Sequence, residues 1–313
     1  MIRFLTVFVV ALLSLPSHVQ AQICAASPVT IQILGSAGPR LDNERASTGY
    51  LLWVNGRARM LIDAGGGAYL RFAQSGARLS DLWLLAVSHL HPDHISGLPA
   101  LLWLSEQTRG EPLPTVGPSG NDVMPAFPAF LSRLFDQNNG AFQILGGTVG
   151  SEGRGVLLDV TVVDVASTEA LTVLDQPEMT VTALGIPHGN IPALAYRVQV
   201  GGASTVFSTD QNGTSPAFIE FARDADVLVM HLAIGAGRRG AGDRQIVRGG
   251  GPQSDPLHAA PAVVGRVARD AGVGRLVLSH IGLFDLESAV AEVRTSYAGP
   301  LTVGADLQCT PVE

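Results

Sequence analysis

Charged residues are scarce, 15% of 313 positions against 46% hydrophobic ones. That balance excludes a disordered chain and leaves enough apolar material for a large core. Acid exceeds base, 27 residues against 20, for a net charge of −7. An acidic chain gains nothing from the phosphate backbone of a long nucleic acid, which argues against a broad nucleic-acid surface. There is no internal repeat or low-complexity tract, and no apolar run of the roughly 20 residues that a bilayer span takes. Cysteine is limited to Cys24 and Cys309. Neither lies near the histidine motifs of the chain, so thiolate metal ligation is not expected.

What is present starts with a leader pattern. Arg3 is followed by an apolar stretch, 4–15, interrupted only by Thr6 and Ser14; Pro16 breaks it, and Val19-Gln20-Ala21 is a small-residue cleavage site. The expectation is a signal peptide over 1–21 and a single domain over 22–313, secreted or periplasmic, with no stable membrane insertion after cleavage. Bulky Ile23 before Cys24 disfavours a lipid anchor there. In an oxidising compartment Cys24 and Cys309 invite a disulfide. Two unconnected buried thiols are the alternative, and the sequence leaves the two open.

Residues 29–34 alternate apolar and polar like a half-buried strand. Stretches 48–54 and 58–62 flank Asn55-Gly56, a hairpin turn signal, and 82–88 suits a strand buried on both faces. The middle, 105–178, is rich in Pro and Gly, with a helix expected at 121–137 and strands near 156–165 and 171–174. Strands are expected again at 179–184, 193–200, 204–208, 226–230 and 275–279, and helices at 257–271 and 286–297. Two sheets flanked by helices accommodate this order.

The chemistry concentrates in Ser88-His89-Leu90-His91-Pro92-Asp93-His94. Three histidines and an aspartate on one strand-to-helix loop are not what packing alone requires. Alternate residues His89 and His91 can point at one metal; Asp93 and His94, at the helix start, can point at a second about 3.5–4 Å away. Imidazole with carboxylate suits zinc, and also manganese or iron. Each of His188, Asp210 and His280 follows a predicted strand, where a shared cleft would form.

His-x-His-x-Asp-His after an apolar strand resembles the signature of the metallo-β-lactamase superfamily. Residues 34–39, the hairpin and Leu61-Ile62-Asp63-Ala64-Gly65 are similar to the opening of its branch containing ribonuclease Z, arylsulfatase-like enzymes and small phosphodiesterases. So are Ile186-Pro187-His188-Gly189, Phe207-Ser208-Thr209-Asp210 and Leu276-Val277-Leu278-Ser279-His280, in the expected order. The resemblance implies an α/β fold, a four-layer αββα sandwich. It implies two divalent metal ions, zinc above all: one on His89, His91 and His188, the other on Asp93, His94 and His280, with Asp210 bridging.

His258, at a helix start, matches a histidine that assists catalysis in the phosphodiesterase branch without binding metal. His231 ends a strand where ribonuclease Z carries His-Glu. Leu232 replaces the acid, so His231 either lines the cleft or is structural. Arg238, Arg239, Arg244 and Arg248, with Asp243 and Asp255 against them, form a loop that could grip an anionic ester.

The expected reaction is hydrolysis of a small phosphodiester or sulfate ester. The metals would ionise a shared water that Asp93 and Asp210 orient, and His258 would aid the leaving group. The alternative is acyl hydrolysis of a lactone or β-lactam on the same fold. No other cofactor is expected. Transfer RNA is excluded as a partner on three grounds: the expected export, the −7 charge, and the short His188–Asp210 stretch, since the resemblance implies that ribonuclease Z carries an arm for transfer RNA at that place. Oligomeric state is left open, a dimer included.

Overall fold

Two seven-stranded sheets face each other among the described residues, which in this computed structural model are 24, 27–40, 42–105, 110–237 and 257–313. The leader and the Arg238–Arg248 loop of the sequence analysis, with Asp243 and Asp255, lie outside them.

The first sheet has the order β14-β1-β2-β3-β4-β5-β6. Its strands are β1 (Val29–Gly35), β2 (Gly49–Val54), β3 (Arg57–Ile62), β4 (Leu84–Ala86), β5 (Leu113–Pro118), β6 (Leu158–Val163) and β14 (Cys309–Pro311). The second has the order β13-β12-β11-β10-β9-β8-β7. It is built from β7 (Leu171–Gln176), β8 (Met179–His188), β9 (Ile191–Val200), β10 (Ala203–Phe207), β11 (Val227–His231), β12 (Arg275–Ser279) and β13 (Leu301–Val303).

The period of two in each strand divides its side chains between cores. On β2, Tyr50, Leu52 and Val54 enter the layer between the sheets, while Leu51 and Trp53 face outward. On β11, Val227 and Val229 face the other sheet, and Leu228 and Met230 face away. Strands buried on both faces need helices outside them. α1 (Ala68–Ser75), α3 (Leu98–Ser105) and α4 (Phe127–Phe135) lie with the first sheet; α5 (Pro216–Phe221), α6 (Pro261–Asp270) and α7 (Leu286–Arg294) lie with the second. The result is the expected four-layer αββα sandwich. No helix among the described residues is long and apolar enough to cross a membrane.

Several expected elements are shorter than their patterns. The helix over 121–137 begins only at Phe127, because the Asn121 side chain accepts from the backbone N–H groups of Val123 and Met124 and forms a turn. The strand over 82–88 narrows to β4, since Ser88 donates its backbone N–H to the Asp63 carboxylate. The helix over 257–271 starts at Pro261; before it, Ala259 N–H bonds the Gln211 carbonyl. In each case a longer-range contact takes backbone groups that local propensity would have used.

Cys24 and Cys309 form a disulfide, with Cα atoms 5.8 Å apart, which closes the alternative of two free thiols. It ties the segment before β1 to β14, which pairs with β1 at Thr30↔Pro311 to Gln32↔Cys309. Three residues before Cys309, Asp306 accepts from the backbone N–H groups of Ser36 and Ala46 and from the Ser36 hydroxyl. Arg71 completes that clasp at 3.0 Å. Cys309→Ser should lower unfolding free energy by about 2–5 kcal/mol, read by denaturant titration; an unchanged midpoint and slope would mean that the bond adds nothing.

Candidate metal centre

Strands β3 and β4 run parallel, as do β10, β11 and β12. Their carboxyl ends, with that of β8, deliver the polar residues to one place between the sheets. α2 (Pro92–Ile95) begins with Pro92 in its first turn, where the missing N–H costs nothing, and it carries Asp93 and His94. The loops after β3 and β4 are zipped together: Ala64 N–H bonds the His94 carbonyl, and a Cβ on Gly65 would lie 2.1 Å from the Asp93 carbonyl oxygen. Asp63, Thr209 and His280, each just beyond a strand, have φ of 57°, 47° and 54°. For a β-branched residue such as Thr209 that region is strained, and such strain gathers where side chains are aimed at a site.

Asp210 is the hub. Its Oδ2 lies 3.6 Å from His89 Nε2 and 3.5 Å from both His94 Nε2 and His188 Nε2, and its Oδ1 lies 3.3 Å from His280 Nε2. Two sets of ligand atoms meet here, each within 4.8 Å of one another: His89, His91, His188 and Asp210, and His94, Asp210, His231 and His280. Asp93 stands beside the second set, its Oδ2 3.7 Å from His94 Nε2 and from His280 Nε2. The structure thus gathers all seven sequence-predicted ligands. His258 is close by but outside both sets, its Nδ1 3.8 Å from Asp210 Oδ2 and its ring edge-on to His188 at 5.1 Å.

Hydrogen bonds behind the site fix which ring nitrogen faces in. His188 Nδ1–H donates to the Leu257 carbonyl at 2.8 Å, and His94 Nδ1–H to the Asp63 carboxylate at 2.7 Å. His280 Nδ1–H donates to the Thr48 hydroxyl at 2.7 Å, which itself donates to the Ala37 carbonyl. His89 Nδ1–H donates to the Ser88 hydroxyl at 3.0 Å, which donates to Asp63. In the neutral form of each of these four rings Nε2 is the nitrogen left with the lone pair, and it faces inward. His91 turns Nδ1 inward, 2.9 Å from His89 Nε2 and 3.4 Å from His188 Nε2.

The electrostatics suit a cation. Burial first, then the neighbouring His94 and His91, pushes the His89 imidazole far down from its usual range. Burial likewise lowers His91 and His280 and pushes His188 down to about 3, although Asp210 pulls each the other way. His94 is the exception: burial opposes charge there too, but Asp210, Asp93 and Asp63 together hold it well above the usual value. Burial alone would raise Asp210, but His280, His258 and His94, with a hydrogen bond from His231, hold its carboxyl well below. Lowered imidazoles and an ionised carboxylate are the forms in which these groups bind metal.

Among the described residues the buried polar atoms without a hydrogen-bond partner include Asp93 Oδ2, His94 Nε2 and His280 Nε2. Such atoms are costly in a folded interior, and both imidazole nitrogens lie 3.7 Å from Asp93 Oδ2 at the second position. Lone pairs converging on a carboxylate fit divalent ions of the zinc, manganese and iron class.

Sequence reading left His231 undecided and assigned no role to Tyr50, Thr48 or Asp63. The structure puts His231 Nδ1 2.6 Å from Asp210 Oδ1, and Thr48 and Asp63 behind two ligand-set histidines. His231 and Asp63 lie in stretches that resemble the family; for Thr48 and Tyr50 the sequence offered only a place in an expected strand.

A family model described as "Beta-lactamase superfamily domain" matches residues 58–281. A ribonuclease Z from Mycobacterium sp. (strain KMS) is 29% identical over 259 residues, which is 80% of this chain and 84% of that protein. Among solved structures, the metallo-β-lactamase fold protein YhfI from Bacillus subtilis matches with a TM-score of 0.66 at 20% identity, over 91% of this chain and 100% of that one. The short form of human tRNase Z matches with a TM-score of 0.67 at 18% identity, over 91% and 99%.

These relatives correct the expectation that transfer RNA is no partner, since curated relatives are named ribonuclease Z and a structural neighbour is a tRNase. The grounds for the exclusion were narrow. A whole-chain charge does not describe the local field at a cleft. The His188–Asp210 stretch is occupied by β9 and β10, but a missing insertion removes one contact surface and leaves the cleft intact.

Proposed function

This chain belongs to the beta-lactamase superfamily, and from that premise we propose that it is an exported two-metal hydrolase whose substrate is a phosphodiester. One observation carries the reading: two donor sets share the Asp210 carboxylate. When bound, two divalent ions would supply Lewis acidity and a water ionised near neutral pH.

His89, His91 and His188 would hold one ion, Asp93, His94 and His280 the other, and Asp210 both. Asp93 and Asp210 would orient the attacking water. His258, outside both sets yet 3.8 Å from Asp210, would protonate the departing alcohol. Relatives named as ribonucleases favour phosphorus over sulfur or acyl carbon as the centre attacked. The leader pattern over 1–21 and the Cys24–Cys309 bond support export, because disulfides persist in oxidising compartments. Fractionation of cells producing the full chain tests that part; protein confined to the cytoplasm with an intact leader would refute it.

The activity test is a panel on zinc- and manganese-loaded protein: bis-aryl phosphate, cyclic nucleotide, a transfer-RNA precursor, aryl sulfate, lactone and β-lactam. The expected result is hydrolysis of a phosphodiester, about two ions per chain by elemental analysis, and loss of activity in chelator. Turnover that survives chelation, or confined to lactone or β-lactam, would overturn the reading.

A further inference from the structure

His231 is turned the opposite way from the four imidazoles that meet Asp210 through Nε2. His89, His94, His188 and His280 send Nδ1 outward to an acceptor and Nε2 inward. His231 sends Nδ1 inward, 2.6 Å from Asp210 Oδ1. Its outward Nε2 meets the Tyr50 hydroxyl at 2.8 Å, and that hydroxyl is 3.0 Å from the Ser279 hydroxyl. Tyr50 belongs to β2 of the first sheet, His231 and Ser279 to β11 and β12 of the second. The tyrosine therefore reaches across the inter-sheet core, its ring packed at 5.5 Å on Phe207.

Only some assignments of hydrogens satisfy this chain. A carboxylate oxygen only accepts, so at 2.6 Å the inward Nδ1 carries a hydrogen and donates it. In the neutral ring Nε2 is then an acceptor, and the Tyr50 hydroxyl is the group placed to donate to it. In that arrangement the Tyr50 and His231 hydrogens both point toward the metal centre.

We propose that His231 is a positioning residue that holds the bridging carboxylate of Asp210 by a Nδ1–H hydrogen bond, and that Tyr50 fixes the ring tautomer this requires. A ring whose inner nitrogen carries hydrogen has no lone pair there for a metal, so His231 is not a ligand although it lies within reach. A carboxylate oxygen has two lone pairs, so Asp210 Oδ1 can accept from His231 and still face an ion beside His280. The inference rests on the two-metal reading of the site, but its central claim concerns the protein without metal.

The experiment uses chelator-stripped, histidine-¹⁵N-labelled protein. The His231 ring signals, assigned by their disappearance in His231→Asn, should be those of the neutral Nδ1–H tautomer. Any other form in the unmutated protein overturns the proposal, whatever the enzyme's substrate proves to be. In Tyr50→Phe the same signals should move toward the Nε2–H tautomer or a mixture. Zinc affinity, by competition with a chromophoric chelator, should fall roughly 10–100-fold, as for other groups that orient metal ligands, with about two ions still bound at saturation. A wild-type tautomer and affinity in Tyr50→Phe would reduce Tyr50 to packing and refute its part. His231→Asn, whose amide can still donate to Asp210, should also keep about two ions. Loss of one ion there would make His231 a ligand and overturn the proposal.

Discussion

Asp210→Ala should empty both metal positions together and bring hydrolysis to background. Its two oxygens lie 3.3–3.6 Å from the inner nitrogens of His89, His94, His188 and His280. It is also the one residue common to both donor sets. Without it both sets lose the anionic ligand they share: the first is left with neutral imidazoles alone, and the second keeps Asp93 as its only carboxylate. Single histidine replacements should be milder. His188→Ala should lose the ion of its own set, and with it most activity, while the second set keeps its donors. Elemental analysis after dialysis, with circular dichroism to confirm folding, reads the difference. Two ions retained in Asp210→Ala would remove that residue from the site.

His258→Ala should do the reverse: keep about two ions yet lose roughly 10²–10⁴-fold in turnover, the scale of a missing general acid. The loss should shrink as the leaving alcohol becomes more acidic, because a stable anion departs without a proton. One structural detail makes the metal measurement indispensable here. The carbonyl of the preceding Leu257 fixes His188 at 2.8 Å, and the His258 ring packs edge-on against His188. A clumsy replacement could therefore disturb a ligand indirectly. If His258→Ala loses metal, its role is not proton transfer alone; if it turns over every ester at the wild-type rate, the phosphodiesterase mechanism loses its acid.

What could be read from the sequence follows from how local each signal is. His89, His91, Asp93 and His94 declare themselves because the chemistry crowds them into one loop. His188, Asp210 and His280 are visible because each ends an apolar run. Their supports are not, because Thr48 meets His280 across 232 positions and Tyr50 meets His231 across 181, and no periodicity encodes such a contact. β13 and β14, three residues each, are too short for alternation to register. The helix before Pro261 was overextended for the opposite reason: its pattern is helical, but Leu257 and Ala259 are held in other contacts, to His188 and Gln211.

Strand order also bears on how the chain reaches this state. β1 lies between β2, its close successor in sequence, and β14, near the opposite end. Until residues 309–311 arrive, one edge of β1 shows its unpaired N–H and C=O groups, the kind of edge that captures other chains. The loop that supports His280 through Thr48 is clasped by Asp306 from the same late segment. A partial chain can thus present the His89–His94 loop but cannot close the centre around Asp210. Closure waits on contacts of very long sequence separation, which form slowly. During that wait an apolar chain with few charges is most exposed to aggregation, so the yield of active protein should be set by the rate at which the last strand docks rather than by the stability of the finished sandwich.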